Sequence, residues 1–136
     1  MIQNITLITL ITVRLFSQSI DNKEIIVPFA SPAPTSTTTI EPAKVISING
    51  KINDGKILLN WVVSQNENAA QFEVEKSLDG KNFTMAALVF GTDKTATDNY
   101  LFYEKSGKKK TLYRIKIINK DQTVDYSSII QIDPKA

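Results

Sequence analysis

Glu73 and Glu75 stand two residues apart in Phe72-Glu73-Val74-Glu75-Lys76, a run that alternates apolar and polar residues. On a strand this spacing turns both carboxylates to one face, and a carboxylate pair is the acid and base of glycoside hydrolysis. Arg114 and Lys116 show the same alternation in a second β-rich run, Leu112 to Ile118. Were the two strands neighbours, cross-strand ion pairs would account for all four residues, each pair contributing about a few tenths of a kcal/mol at an exposed site. The ion-pair role is preferred. A catalytic carboxylate needs a concave, partly dry setting, which a sheet face lacks.

The remaining candidates are weaker. Asp93 and Asp98 flank a Thr-rich loop, but calcium takes about six to eight oxygens and two carboxylates are too few. Lys105 and the run Lys108-Lys109-Lys110 form a possible anion patch, partly offset by Glu104 and free of interleaved aromatics. A solvated loop that protects a sheet edge explains them better. Trp61, Phe72, Phe83, Tyr100, Phe102 and Tyr113 could form a sugar-stacking platform, yet all but Tyr100 fall on inward positions, and Tyr100 shares its face with Phe102. Core is the expected role for the set. Asn82-Phe83-Thr84 matches the N-glycosylation acceptor pattern, a three-residue match taken as accidental. The 136 residues include no His and no Cys. That removes imidazole bases, thiolate nucleophiles, disulfides and nearly every zinc or transition-metal site. No catalytic, cofactor-binding or metal-ligating residue is assigned.

The net charge of +2 is too small to imply nucleic acid or an anionic membrane as partner. The first nineteen residues hold the apolar run Ile5 to Val13, too short to span a bilayer as a helix, followed by Ser17 and Ser19. Residues 1–19 read as a signal peptide, or as an anchor if uncleaved. Residues 20–42 contain Pro28, Pro32, Pro34, Pro42 and the run Thr35 to Thr39. They read as an extended, largely disordered linker, from which Ile26, Val27 and Phe29 could dock on an edge.

From residue 43 to residue 133 the texture is short β-rich runs broken by turn residues. The expected strands are Val45–Ile48, closed by Asn49-Gly50, then Lys56–Val63, opened by Asp54-Gly55, then Phe72–Lys76. After an Asp79-Gly80 hairpin turn come Phe83–Phe90, Tyr100–Tyr103, Leu112–Ile118 and a last strand from Tyr126 to Ile132. Seven strands and no helical periodicity give an all-β, two-sheet sandwich. With no disulfide, its core alone must stabilise it.

Leu59-Asn60-Trp61, the polar loop Asn66-Glu67-Asn68, the block Phe72 to Phe83, Tyr113-Arg114-Ile115-Lys116 and Tyr126-Ser127 together resemble a fibronectin type III domain of the kind found in exported Bacteroidetes proteins. The likeness spans about 90 residues and departs from the family pattern at Glu104, at Lys105 to Lys110 and at Asn119 to Gln122. It implies a seven-stranded fibronectin type III or immunoglobulin-like sandwich in which the third and sixth strands are neighbours, so that Arg114 and Lys116 lie opposite the two glutamates. It also implies a non-catalytic, exported interaction or accessory module of the periplasm or cell surface, with an unknown protein or glycan partner, no small-molecule substrate and no cofactor. The alternative is a structural spacer held to the envelope by an uncleaved N-terminus, the only case that brings membrane contact. Because the last expected strand ends at Ile132, four residues before Ala136, the sandwich is expected to make up the whole mature product.

Overall fold

The computed structural model describes residues 38–135. The signal-peptide assignment and most of the linker assignment lie outside them. Eight strands follow in order: β1 (Lys44–Asn53), β2 (Lys56–Ser64), β3 (Ala69–Ser77), β4 (Thr84–Phe90), β5 (Asp98–Lys105), β6 (Thr111–Asn119), β7 (Val124–Tyr126) and β8 (Ile130–Ile132). A single 3-10 turn, Asn66–Asn68, interrupts them. One sheet has the order β1-β2-β5; the other has β4-β3-β6-β7, with β8 also against β6, and every pairing is antiparallel. The chain is an all-β, two-sheet sandwich.

Alternation explains the strands. β2 buries Ile57, Leu59, Trp61 and Val63; β6 buries Tyr113, Ile115 and Ile117. Between them Phe72 and Val74 of β3 are fully buried. The centre is aromatic: the Trp61 ring stacks on Tyr100 at 5.5 Å between centroids, and Phe72 lies 4.5 Å from Tyr100 and 6.1 Å from Trp61. Tyr100 therefore belongs to the core with the others.

Three expectations need correction. Asn49-Gly50 is not a turn: Asn49 pairs with Asn60 and Gly50 with Leu59 inside a β1 that runs on to Asn53. A Cβ on Gly50 would lie 2.6 Å from the Ile132 side chain, so the glycine is there for β8 to pack closely over the strand. The turn is Asp54-Gly55, where both residues have positive φ (47° and 71°), the two-residue hairpin geometry that suits strand twist.

The expected strand from Tyr126 to Ile132 is two strands, so the count is eight rather than seven. Between β7 and β8 the Ser127 hydroxyl accepts the Ile115 N–H at 2.8 Å, while the Ser127 N–H donates to the Ile115 carbonyl. A side chain thus replaces one rung of the ladder and breaks the strand.

Phe83 is not in the core. β4 carries a bulge: Val74 pairs with Ala87 but Glu75 with Met85, leaving Ala86 as an extra residue. One extra residue reverses the inside-out alternation, so Met85 and Phe83 share the outer face with Glu75. The Asp79-Gly80 hairpin is correspondingly a six-residue loop, 78–83, before β4.

Trp61→Ala should lower the unfolding free energy by about 3–5 kcal/mol, the loss typical of a buried large aromatic. Urea denaturation followed by far-UV circular dichroism measures it, and an unchanged midpoint would contradict the packing described above.

Candidate functional site

The outer face of the β4-β3-β6-β7 sheet brings the paired carboxylates against their bases. Glu73 lies opposite Lys116 and Glu75 opposite Arg114. Lys116 Nζ donates to Glu73 Oε2 at 2.9 Å, and Arg114 Nε donates to Glu75 Oε2 at 2.6 Å. The hydrogen bond to Glu73 raises the Lys116 ammonium above the usual lysine range, against the opposing effect of burial. Arg114 is more than an exposed partner. Its guanidinium lies 4.0 Å from the Phe83 ring centroid and 4.3 Å from that of Tyr126, a cation between two aromatic faces. The Glu75 side chain is only 11% exposed, so the pair exceeds the exposed-site value.

The other candidates separate. Asp93 accepts from Lys120 at 2.5 Å. Asp98 accepts from the Thr92 hydroxyl, which holds its carboxyl below the usual carboxylate range. The two serve different partners, and among the described residues no group of three or more acidic, His or Cys side chains converges as a metal site would require. Lys108, Lys109 and Lys110 are exposed on the β5–β6 connection. Glu104 does not offset that run. It reaches instead across the sandwich to the other sheet.

The clearest concavity lies there, at the end where β3 stops and β6 begins. It encloses about 500 Å³ between Lys76, Asp79, Asn82, Glu104, Thr111 and Tyr113. Glu104 Oε2 accepts from Lys76 Nζ at 2.8 Å, and Oε1 accepts from the Tyr113 hydroxyl at 2.6 Å. Burial, and then the neighbouring carboxylate, push the Tyr113 phenol well above the ordinary tyrosine range. The Tyr113 hydroxyl thus bonds β6 back to the preceding strand, β5. The rim is ordered too. Asp79 accepts from the backbone N–H groups of Asn82 and Lys81, from the Asn82 amide and from the Ser77 hydroxyl, which together hold its carboxyl far below the usual range. The sequon residue Asn82 thus has its amide turned to Asp79 at 2.7 Å.

At the opposite end Asn66, in a loop read from sequence as wholly polar, is fully buried. Its amide donates to the Thr92 hydroxyl and the Lys94 carbonyl, and it accepts from the Tyr100 hydroxyl at 2.5 Å. These bonds tie the β4–β5 connection to the core. Sequence reading missed Lys76, Asn66 and the linking role of Glu104. One signal existed for the last: Glu104 replaces the acidic residue expected of the resembled pattern, nine positions before Tyr113.

Chemically, the end groove offers an ammonium, carboxylates, amides and hydroxyls, with both Glu104 oxygens already engaged. Its groups suit hydrogen bonding to a polar ligand.

No protein-family model matches the chain, and no curated protein does. Among solved structures it is similar to a pectate lyase, Pel3 from Pectobacterium carotovorum, with a TM-score of 0.51 at 15% identity over 71% of this chain and 28% of that one. It is equally similar to a candidate carbohydrate-binding protein from Bacteroides uniformis, TM-score 0.51 at 13% identity, over 69% of this chain and 58% of that one. The chain thus spans less than two thirds of either. At such identities the likeness is one of fold.

Two outcomes are expected. Glu75→Ala should cost about 1 kcal/mol rather than a few tenths, since the pair is largely buried and its arginine is stacked; urea titration measures the loss. For Tyr113 the pKa is raised on folding, so its contribution is complete below about pH 10, the unfolded value, and is lost as pH rises through the folded value. Alkaline destabilisation should therefore be smaller in Tyr113→Phe than in the parent, measured as melting temperature between about pH 9 and 12.

Proposed function

We propose that this chain is a non-catalytic, glycan-binding module of the fibronectin type III kind, acting on an exported protein in the periplasm or at the cell surface. The observation that carries the reading is the end groove. It is concave and mostly apolar, with a few polar groups at its wall, and its central carboxylate is held by Lys76 and Tyr113.

Strand order supports the family. β3 lies beside β6, as the resemblance implies, and β4 joins β3 rather than β5. The latter departs from the constant-type immunoglobulin arrangement, in which the fourth strand pairs within the first sheet. The fold similarity to a candidate carbohydrate-binding protein and to a pectate lyase is compatible with a glycan partner. Glu73 and Glu75, the one sequence feature that suggested glycosidase chemistry, are both bound to basic neighbours on an open sheet face.

Affinity electrophoresis of the full chain through gels containing a panel of polysaccharides, run beside a reducing-end release assay, tests the reading. Retardation in at least one gel with no released ends is the expected result. Release of ends that disappears in Glu104→Gln would replace the binding role with an enzymatic one.

A further inference from the structure

The end groove is one of a connected series. A second concavity of about 440 Å³ lies beside it between Asp54, Lys56, Tyr103, Glu104 and Lys105, so that Glu104 and Lys105 border both. A third, of about 430 Å³, continues over the outer face of the β1-β2-β5 sheet between Asn49, Lys51, Leu58, Asn60 and Leu101. Leu58, which borders the third, pairs with Tyr103, which borders the second, so the two lie side by side on the sheet. From Leu101 to Lys105 the strand advances about 14 Å. The result is a track long enough for several residues of an extended polymer.

Its chemistry is selective. Tyr103 is 64% exposed and Leu101 58% exposed, so an aromatic ring and an apolar side chain are both open to a ligand on this face. Asn49 and Asn60 stand opposite each other on neighbouring strands, both exposed, and each amide offers donors and an acceptor. Lys51, Lys56 and Lys105 border the track, and none of the three has an ion-pair partner among the described residues. Of the nearby carboxylates, Glu104 is already neutralised by Lys76, leaving Asp54 against three ammonium groups. Lys56 Nζ sits 5.8 Å from the Tyr103 ring centroid.

We propose that this track binds an acidic polysaccharide, a chain of sugars bearing carboxylates, a site that rests on the glycan-binding reading above. The C–H face of a sugar ring stacks on Tyr103, as apolar faces do on aromatics. The ammonium of Lys56, which lies over one face of that ring, meets the carboxylate of a sugar stacked on the face left open, and Lys51 and Lys105 meet those of neighbouring residues. Asn49 and Asn60 hydrogen-bond the hydroxyls. Excess positive charge on the track favours this class over a neutral glycan, and because the lysines are exposed the attraction weakens with salt.

Isothermal titration of the full chain with alginate fragments and with a neutral glucan, at low and at high salt, tests the proposal. Alginate should bind more tightly than the glucan, and more weakly as salt rises. Tyr103→Ala should weaken alginate binding about fivefold to tenfold, and the combined Lys51→Gln, Lys56→Gln and Lys105→Gln variant should abolish the salt dependence. Tyr103→Phe, which keeps the stacking ring, should bind as the parent does. Melting temperatures should stay within a degree or two throughout, since these side chains are exposed. Binding of the neutral glucan with equal affinity, or alginate binding insensitive to both variants, overturns the acidic track while leaving glycan binding standing. Binding to neither these two nor any member of the polysaccharide panel overturns both.

Discussion

Trp61 stands fully buried between the sheets, stacked on Tyr100 from its own sheet and edge-on to Phe72 from the facing one. The whole sandwich depends on this cluster. With no cysteine to form a disulfide, packed side chains, hydrogen bonds and the Lys76–Glu104 ion pair hold the layers together. The indole N–H has no hydrogen-bond partner among the described residues, and the ring is buried against two aromatics.

Polar groups then close the two ends of that core. At one end Asn66, Tyr100 and Thr92 share hydrogen bonds that hold the β4–β5 connection, in which Asp93 and Ala96 adopt left-handed backbone. Asn66 N–H donates to the Ala96 carbonyl, and the Ala96 N–H donates to Glu67. At the other end Glu104 of β5 receives Lys76 of β3 and Tyr113 of β6, joining the two sheets through one carboxylate. The same contact closes the structure and sets the floor of the groove. Glu104 thus joins the sheets and borders the groove, and the neutralised carboxylate leaves the adjoining lysines to determine the charge of the surface.

Much of the fold was legible in the residue pattern. Strict alternation in Lys56–Val63, Phe72–Lys76 and Leu112–Ile118 located β2, β3 and β6, and it located Trp61, Phe72 and Tyr113 in the core. That Arg114 and Lys116 face the two glutamates was implied by the resemblance; the register, Glu73 on Lys116 and Glu75 on Arg114, came from the structure. Where an irregularity entered, alternation failed. The bulge at Ala86 turned Phe83 outward onto Arg114, and Ser127 divided the last strand. Gly50, which looks like a turn residue, lies within a strand because Ile130 and Ile132 pass close over it.

The residues alone determined that this is an all-β chain with no imidazole or thiol chemistry, with inward and outward faces set by period-2 patterning. That information is local: a strand's alternation is written in the strand itself. Tertiary structure decided which polar groups became buried links, where the concavities join, and which charges remain unmatched. Glu73 and Glu75, the pair that first suggested chemistry, became cross-strand ion pairs. Glu104, which alone suggested none, became the centre of the end groove. The reason is that pairing partners come from strands tens of residues away, and only the packed sheets set the distances between them.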